Sequence, residues 1–517
     1  MTRQETPAYD DVVIGSGIGG LAIAALLAQA GRRVFLCERH YLPGGYAQTF
    51  GAGRFLFCAE LHYVWDCGPG ERVERVLAHL GLADQLPFRR LNPLGFDRVV
   101  APGIDYTIGS GFAREQERLA PLFPEHTEGL RRYFDLLASL HRAAYQLPLG
   151  YSWRTLLTHP VRLAPLIRYH DWTLQDLFDQ LGFPQPLQLI LAGQSAIFFL
   201  PPRQLSLIVH ASGVASYDAG AYVPAGSFRQ VIHALVDAVR RRPGCRVALS
   251  TEVTRIVHAG GEVTGVVTAG GETITARNVI FDGDPQLSLD LLGREHLPPR
   301  FVRRATYEYS TSALSVYLGL RDIDLRDYGW GEENLFWHPS TDLNAVYERQ
   351  FADSIPDEPY FFCDAPTLRM SDPKLAPPGC QQLVLVAPCR YEYFRALRDR
   401  SETDYQAAKE EYARRMLRIL ERDFVPGLSR HIETQVIGSP LTNERYVTAP
   451  RGNCYGMPLD PRHQNARHFN FRSPFPNFFF VGTTSGMPGF APNIHFSTLL
   501  YERLTGDHFY TRQFPVV

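Results

Sequence analysis

The sequence predicts an α/β fold: a Rossmann-type dinucleotide-binding domain with an inserted α+β substrate domain. Three observations predict it. A glycine-rich turn joins a short β run to a small-residue helix near the start of the chain. A second strand–glycine–helix unit lies at its far end. Between them, long aromatic-rich stretches interrupt a β meander.

The opening unit comes first. Tyr9–Ile14 is a β run, followed at once by Gly15-Ser16-Gly17-Ile18-Gly19-Gly20. A small-residue helix, Leu21–Ala30, leads to a second β run, Arg33–Cys37, which ends in Glu38. In this G-x-G-x-x-G spacing, Gly15 permits the tight turn and Gly17 lets a pyrophosphate approach the backbone. Gly20 lets helix and strand pack closely. The helix N-terminus offers unpaired N–H groups and a partial positive charge to phosphates. Glu38 is placed to accept hydrogen bonds from both hydroxyls of an unphosphorylated adenosine ribose. The motif by itself does not separate NAD from FAD.

The chain then reads as helical from about 76 to 220 and returns to strands over 222–290. Cys245–Leu249, Val253–His258, Val263–Thr268 and Glu272–Ala276 form a meander, with Gly260-Gly261 as a hairpin turn. Asn278–Phe281 is a further buried strand, closed by Asp282-Gly283-Asp284-Pro285. A second mixed segment covers about 291–439. Phe478–Val481 then reads as a buried parallel strand, broken by Gly482-Thr483-Thr484, and Ala491–Leu504 as a helix. The expected cofactor domain is 1–75, 222–290 and 440–517. The expected substrate domain is 76–221 and 291–439. A glycine unit at each end suits an extended cofactor, although a plain buried strand and helix explain the second unit equally well.

Composition sets the bounds. The 517 residues exceed what one core usually serves. A net charge of −2 gives no case for nucleic acid as a partner. Of the 52 basic residues only Lys374 and Lys409 are lysines. The eight cysteines are scattered without metal spacing, as expected in a reducing compartment. Met1–Tyr9 is polar and reads as no signal peptide. No stretch outside the glycine-rich unit approaches the length of a membrane span, so a soluble or peripheral protein is expected.

Several segments together resemble the phytoene desaturase-like superfamily of FAD enzymes, in particular its carotenoid isomerase and retinol saturase branch. Gly44-Gly45-Tyr46-Ala47-Gln48-Thr49-Phe50 resembles the family's GGxxxTF segment, and Glu60-Leu61-His62-Tyr63 its G-x-H-Y segment. Leu200-Pro201-Pro202-Arg203, His210 and Gly220 to Ser227 resemble the stretch leading into the middle cofactor segment. Gly438 to Thr442 and Pro450 to Gly456 resemble a signature near the final one. Two positions depart from the pattern. Cys58 and Glu60 stand where the family usually has an acid and a glycine, and Met487 to Pro492 replaces a glycine-rich P-G-x-G.

The resemblance implies non-covalent FAD. By it, the cofactor is held by Gly15, Ser16, Gly17, Ile18, Gly19, Gly20, Glu38 and Arg39, then by Gly45, Tyr46, Ala47 and Val253. Gly482, Thr483, Phe490, Ala491 and Pro492 complete the set at the far end. Glu60, His62 and Tyr63 are the implied catalytic candidates near the flavin. Glu60 in an apolar pocket would have a raised pKa and suit a proton donor or acceptor. His210 reads as a core histidine, His495 as facing either flavin or core, and Arg451 and Tyr455 as braces of a loop under the cofactor. No second dinucleotide fingerprint, redox cysteine pair or flavin-facing lysine is evident. Electrons are therefore expected to pass by direct contact, through a quinone or through another carrier.

That leaves C=C and C–C bonds of a lipophilic substrate, a polyene of carotenoid or retinoid type, changed by desaturation, saturation or cis–trans isomerisation. The alternatives are a fatty acyl chain, whose carboxylate an arginine would hold, and a non-catalytic flavin-binding lipid carrier. Leu147–Leu200 interleaves Trp153, Leu156-Leu157, Leu163–Ile167, Tyr169 and Trp172 with Arg154, Arg162 and Arg168. That pattern suits an interfacial helix as well as a core-facing pair. With the resemblance it implies peripheral contact with the cytoplasmic, inner face of a membrane.

Overall fold

The computed structural model describes residues 8–149, 151–464, 468–469 and 473–516. Two seven-stranded sheets organise them. The first runs in the order Val253–Ala259, Glu262–Thr268, Thr273–Phe281, Tyr9–Ile14, Val34–Cys37, Arg246–Ala248, and Phe478–Phe480 pairs with Thr273–Phe281 off that path. Its central strands are parallel: Val12 lies opposite Val279 and Phe35, and Phe281 opposite Ile14 and Phe480. Continuous apolar runs are what strands covered on both faces require. The Rossmann-type α/β fold is therefore present.

Thr273–Phe281 is a single nine-residue strand where the sequence reads as two. Its first third pairs antiparallel with Gly265–Val267 of the meander, and its last third pairs parallel with Phe478–Phe480. One strand edge thus serves both the hairpin and the far end of the chain. This pairing draws residue 480 to the opening unit.

The opening helix, Ile18–Gln29, is buried from Gly19 to Ala28, as expected of a helix apolar on every side. The closing helix, Phe490–Thr505, lies against it, and Ser497 donates its hydroxyl to the Gly19 carbonyl at 3.0 Å.

The second sheet runs Ile432–Gly438, Ser312–Arg321, Cys380–Cys389, Phe361–Asp364, Asn334–Trp337, Asp97–Ala101, Ile104–Ile108. Alternation along Ser312–Arg321 separates its two faces. Leu314, Val316, Leu318 and Leu320 share one core with Tyr412, Met416 and Ile419 of the helix Glu402–Asp423. On the other face, Ser315 donates to Glu60 Oε1 at 2.9 Å and Tyr317 donates to the Ala59 carbonyl at 2.7 Å.

The region from 76 to 220 is not helical throughout. It contains strands at Phe88–Arg90, Asp97–Ala101 and Ile104–Ile108. Asp97–Ala101 is polar enough to hide its strand character. It is a strand because Asn334–Trp337 pairs with it in parallel and Ile104–Ile108 pairs with it antiparallel.

Candidate functional site

One elongated cavity of about 650 Å³ runs from the glycine-rich turn to the second sheet. At one end the opening helix begins at Gly17, whose N-cap position carries no side-chain hydrogen bond. Gly17 and Ile18, at that helix start, border the cavity, the place on a helix that favours an anion. Gly15 has φ +100°, and a Cβ there would lie 2.5 Å from the Asp282 carbonyl oxygen. A Cβ on Gly20 would lie 2.3 Å from the Gly15 carbonyl oxygen. Both contacts are with backbone, so neither yields to a rotamer change.

Glu38 sits where the second strand ends. Its Oε2 accepts from the Ser16 amide at 2.9 Å and the Ser16 hydroxyl at 2.8 Å, and its Oε1 from the His40 amide at 2.8 Å. Arg39 and Val253 line the same end. Tyr46 lines the middle and donates its hydroxyl to the Asn453 carbonyl at 2.5 Å.

Of the residues expected to hold a cofactor, Gly15, Gly17, Ile18, Glu38, Arg39, Gly45, Tyr46, Ala47, Val253, Gly482, Thr483 and Phe490 border this one cavity. Ser16, Gly19 and Gly20 lie behind its surface. Ala491 and Pro492 are buried in the first turn of the closing helix, where Gly489 and Asn493 form the wall instead.

The other end is apolar and aromatic. Tyr63 stacks on Tyr217 with centroids 5.0 Å apart, and Trp65 meets Tyr217 edge-on at 5.2 Å. Phe199 packs against Tyr455 at 5.5 Å, and His62 against Phe362 at 4.6 Å. All seven rings border the cavity. Among the described residues, Arg39 is the cavity's one Arg or Lys, and it lies at the Glu38 end.

Glu60, His62 and Tyr63 occur together on this wall. Burial pushes the Glu60 carboxyl above its usual range, against the opposing effects of His62 and of the hydrogen bond from Ser315. Tyr63 donates to Asp97 Oδ2 at 2.9 Å. His62 Nδ1 lies 3.3 Å from Asp364 Oδ1. His210 is a core residue bonded to the Tyr133 hydroxyl at 2.7 Å, and burial lowers its pKa to about 3. His495 faces the core, 2.6 Å from the Tyr510 hydroxyl. Arg451 is half exposed and pairs with Glu392, whereas Tyr455 is a wall residue.

Asp282 and Asp284, at the end of the long strand, also border the cavity. In the sequence they pass for the closing turn of that strand. The available signal was an acid following a buried apolar run inside a dinucleotide fold. Asp97, Asn334, Asp364 and Arg369 carry no local signal at all.

The residues present fit a bound dinucleotide cofactor. The uncapped helix start, the glycine cradle and the buried Asp282 Oδ2 stand at one end of a cavity of about 650 Å³ that continues past Tyr46 to the second sheet.

Comparison with known proteins agrees with this geometry. A family model described as an NAD(P)-binding Rossmann-like domain matches residues 13–80. The all-trans-retinol 13,14-reductase of Danio rerio is 27% identical over 518 residues, covering 93% of this chain and 83% of that protein. The phytoene dehydrogenase of Streptomyces griseus is 27% identical over 535 residues, covering 98% and 97%. A chloroplastic prolycopene isomerase of an Oncidium hybrid is 24% identical over 469 residues, covering 88% and 76%. Among solved structures, wild-type putrescine oxidase bound to putrescine superposes with a TM-score of 0.64 at 15% identity, covering 96% of this chain and 99% of that one. This last likeness is one of fold.

Proposed function

We propose that this chain, a relative of retinol 13,14-reductases, phytoene dehydrogenases and prolycopene isomerases along nearly its whole length, is a FAD-dependent oxidoreductase of lipophilic polyenes. It acts on C=C or C–C bonds by desaturation, saturation or cis–trans isomerisation. When bound, FAD supplies a two-electron centre able to exchange a hydride with carbon.

The chain's own residues do the rest. The opening helix amides and the glycine cradle hold the pyrophosphate, and Glu38 takes the adenosine ribose. Gly45, Tyr46, Gly482, Thr483 and Phe490 border the remainder of the cofactor. Glu60 holds the proton that accompanies bond change, with His62 and Tyr63 beside it. The aromatic wall excludes water and binds an extended chain by burial, worth about 0.8 kcal/mol per CH₂. Residues 1–75, 222–290 and 440–517 form the cofactor domain, and 76–221 with 291–439 the substrate domain.

The observation that carries the polyene reading is the absence of Arg or Lys, among the described residues, from the aromatic end of the cavity. A fatty acyl carboxylate buried there would meet no Arg or Lys, and the imidazole of that wall, His62, already faces Asp364, so burial of the charge is costly. A neutral polyene needs none.

A substrate of this kind is drawn from a membrane. No described helix is long and apolar enough to cross one. However, the helices Trp153–Thr158 and Pro160–Arg168 expose Leu157 (67%) and Val161 (89%), flanked by exposed Arg154, Arg162 and Arg168. This is the composition of a peripheral contact with an anionic, cytoplasmic leaflet. Electrons arrive or leave through a carrier such as a quinone.

The test is to incubate the flavoprotein with a neutral polyene or a fatty acid of similar length, and to follow the flavin spectrum and the lipid mass. It is run once reduced with dithionite, as saturation and isomerisation require, and once oxidised with a quinone acceptor, as desaturation requires. The polyene is expected to be altered and the fatty acid not. Turnover of the fatty acid alone overturns the substrate class, and turnover of neither favours a carrier.

A further inference from the structure

The space beside the glycine-rich turn is filled by a carboxylate. Asp282 follows the long central strand, and its amide donates to the Ile14 carbonyl at 2.8 Å, which fixes it against the turn. Four glycines form a cup around its side chain. A Cβ on Gly17 or Gly20 would lie 2.6 Å or 2.7 Å from Asp282 Oδ2, and one on Gly19 or Gly482 would lie 2.9 Å or 2.8 Å from Oδ1. Oδ2 is buried with the Gly17 and Gly20 amides turned toward it, but neither completes a well-formed hydrogen bond.

The charges around this cup are unfavourable for a second anion. From the second strand, Glu38 faces Asp282. Two residues on, Asp284 borders the same cavity. From the opening helix come only the amides of Gly17 and Gly20, and from the closing segment only Gly482 and Thr483, neither titratable. Arg39, the one cation on the described wall, lies 3.9 Å from Glu252. Among the described residues no other lysine or arginine borders the cavity to offset a pyrophosphate.

We propose that Asp282 is a cofactor-binding residue that enters the complex protonated, so that loading of FAD takes up one proton and weakens as pH rises. Two ionised carboxylates and a pyrophosphate dianion at one helix N-terminus repel one another, and protonating the nearest carboxylate is the least costly relief. Protonated Asp282 also becomes a hydrogen-bond donor toward a phosphate oxygen. Its state before loading already leans that way. Burial pushes its carboxyl up to about 7, against the favourable amides of Gly20 and Gly17, and Glu38 adds to the rise. The sign follows: the free site is protonated below that value, so affinity is level there. Above it, each unit of pH costs the complex about one factor of ten.

The inference rests on the FAD reading, and its test separates the two. FAD is titrated into the full-length apoprotein, following flavin fluorescence from about pH 6 to about pH 9, as the linkage requires. The same titration by calorimetry in two buffers of different ionisation enthalpy counts protons. The expected result is uptake of about one proton on the alkaline side, with Kd rising about tenfold per pH unit. Asp282→Asn, of the same shape and uncharged, is expected to abolish the uptake and bind FAD more tightly than wild type at the alkaline end. FAD binding with no proton uptake, or with a slope unchanged in Asp282→Asn, overturns the proposal while leaving FAD in place. Absence of FAD binding at every pH overturns both. Calorimetry on the wild type suffices if the variant does not fold.

Discussion

Tyr63 donates its hydroxyl to Asp97 Oδ2 at 2.9 Å, and that bond is one link in a buried loop that returns to its sequence neighbour His62. Asp97 Oδ1 accepts from Asn334 at 2.6 Å, and Asn334 Oδ1 accepts from Arg369 at 2.6 Å. Arg369 pairs with Asp364, whose other oxygen lies 3.3 Å from His62 Nδ1. Adjacent residues of the cavity wall are thus tied to opposite ends of one polar chain inside the second sheet. Asp364 Oδ1 is buried without a hydrogen-bond partner, so the His62 end is held by proximity alone, while the hydrogen-bonded remainder fixes geometry and buries charge.

Arg369→Met removes the partner of a carboxylate that is 1% exposed. Loss of about 3–5 kcal/mol is expected in urea denaturation, with part of it recovered in the double variant Arg369→Met/Asp364→Asn. A single-variant loss within about 0.5 kcal/mol, the range of an ordinary surface change, counts against the network as a structural unit.

Gly15→Ala places a methyl group 2.5 Å from the Asp282 carbonyl at a φ of +100°. The turn must move, and the flavin-to-protein absorbance ratio of the purified variant is expected to drop at least about tenfold. A full complement of FAD in this variant would remove the turn from the cofactor site.

Glu60→Gln keeps the shape of the wall and removes the titrating group. With FAD still bound, turnover is expected to fall by about 10²–10⁴-fold. In the wild type, reduction of a polyene is expected to decline as pH rises through a value above the usual carboxylate range, since burial raises Glu60 and only the protonated form donates. Turnover in Glu60→Gln equal to wild type assigns the proton to another group.

Leu157→Glu with Val161→Glu changes two side chains that are 67% and 89% exposed. Thermal stability is expected to stay within about 0.5 kcal/mol of wild type, as for surface changes. Co-sedimentation with anionic vesicles is expected to fall sharply, because each apolar contact is replaced by a charge that the lipid repels. Unaltered sedimentation would place the membrane contact elsewhere.

Much of the cofactor end was legible in the chain because its chemistry is local. Gly15, Gly17 and Gly20 sit within six residues, and Glu38 follows one helix and one strand later, so spacing alone places them together. The closing strand and helix were equally readable from a contiguous apolar run and a glycine break. The second sheet was not. Asp97–Ala101 carries charge at both of its first two positions, and besides its hairpin partner Ile104–Ile108 it takes its place in the sheet from Asn334–Trp337, more than two hundred residues away.

By itself, then, the sequence determined the glycine-rich turn, the acid that ends the second strand and the presence of a second glycine unit. Periodicity and short-range steric demands act within a few residues. Only the tertiary structure decided that Asp282 occupies a four-glycine cup and that His62 and Tyr63 hang from a common buried chain. It also decided that the aromatic end of the cavity offers no Arg or Lys among its described residues. Those relations are set by strand pairing between distant segments, and nothing in the local chain encodes which buried polar groups will meet.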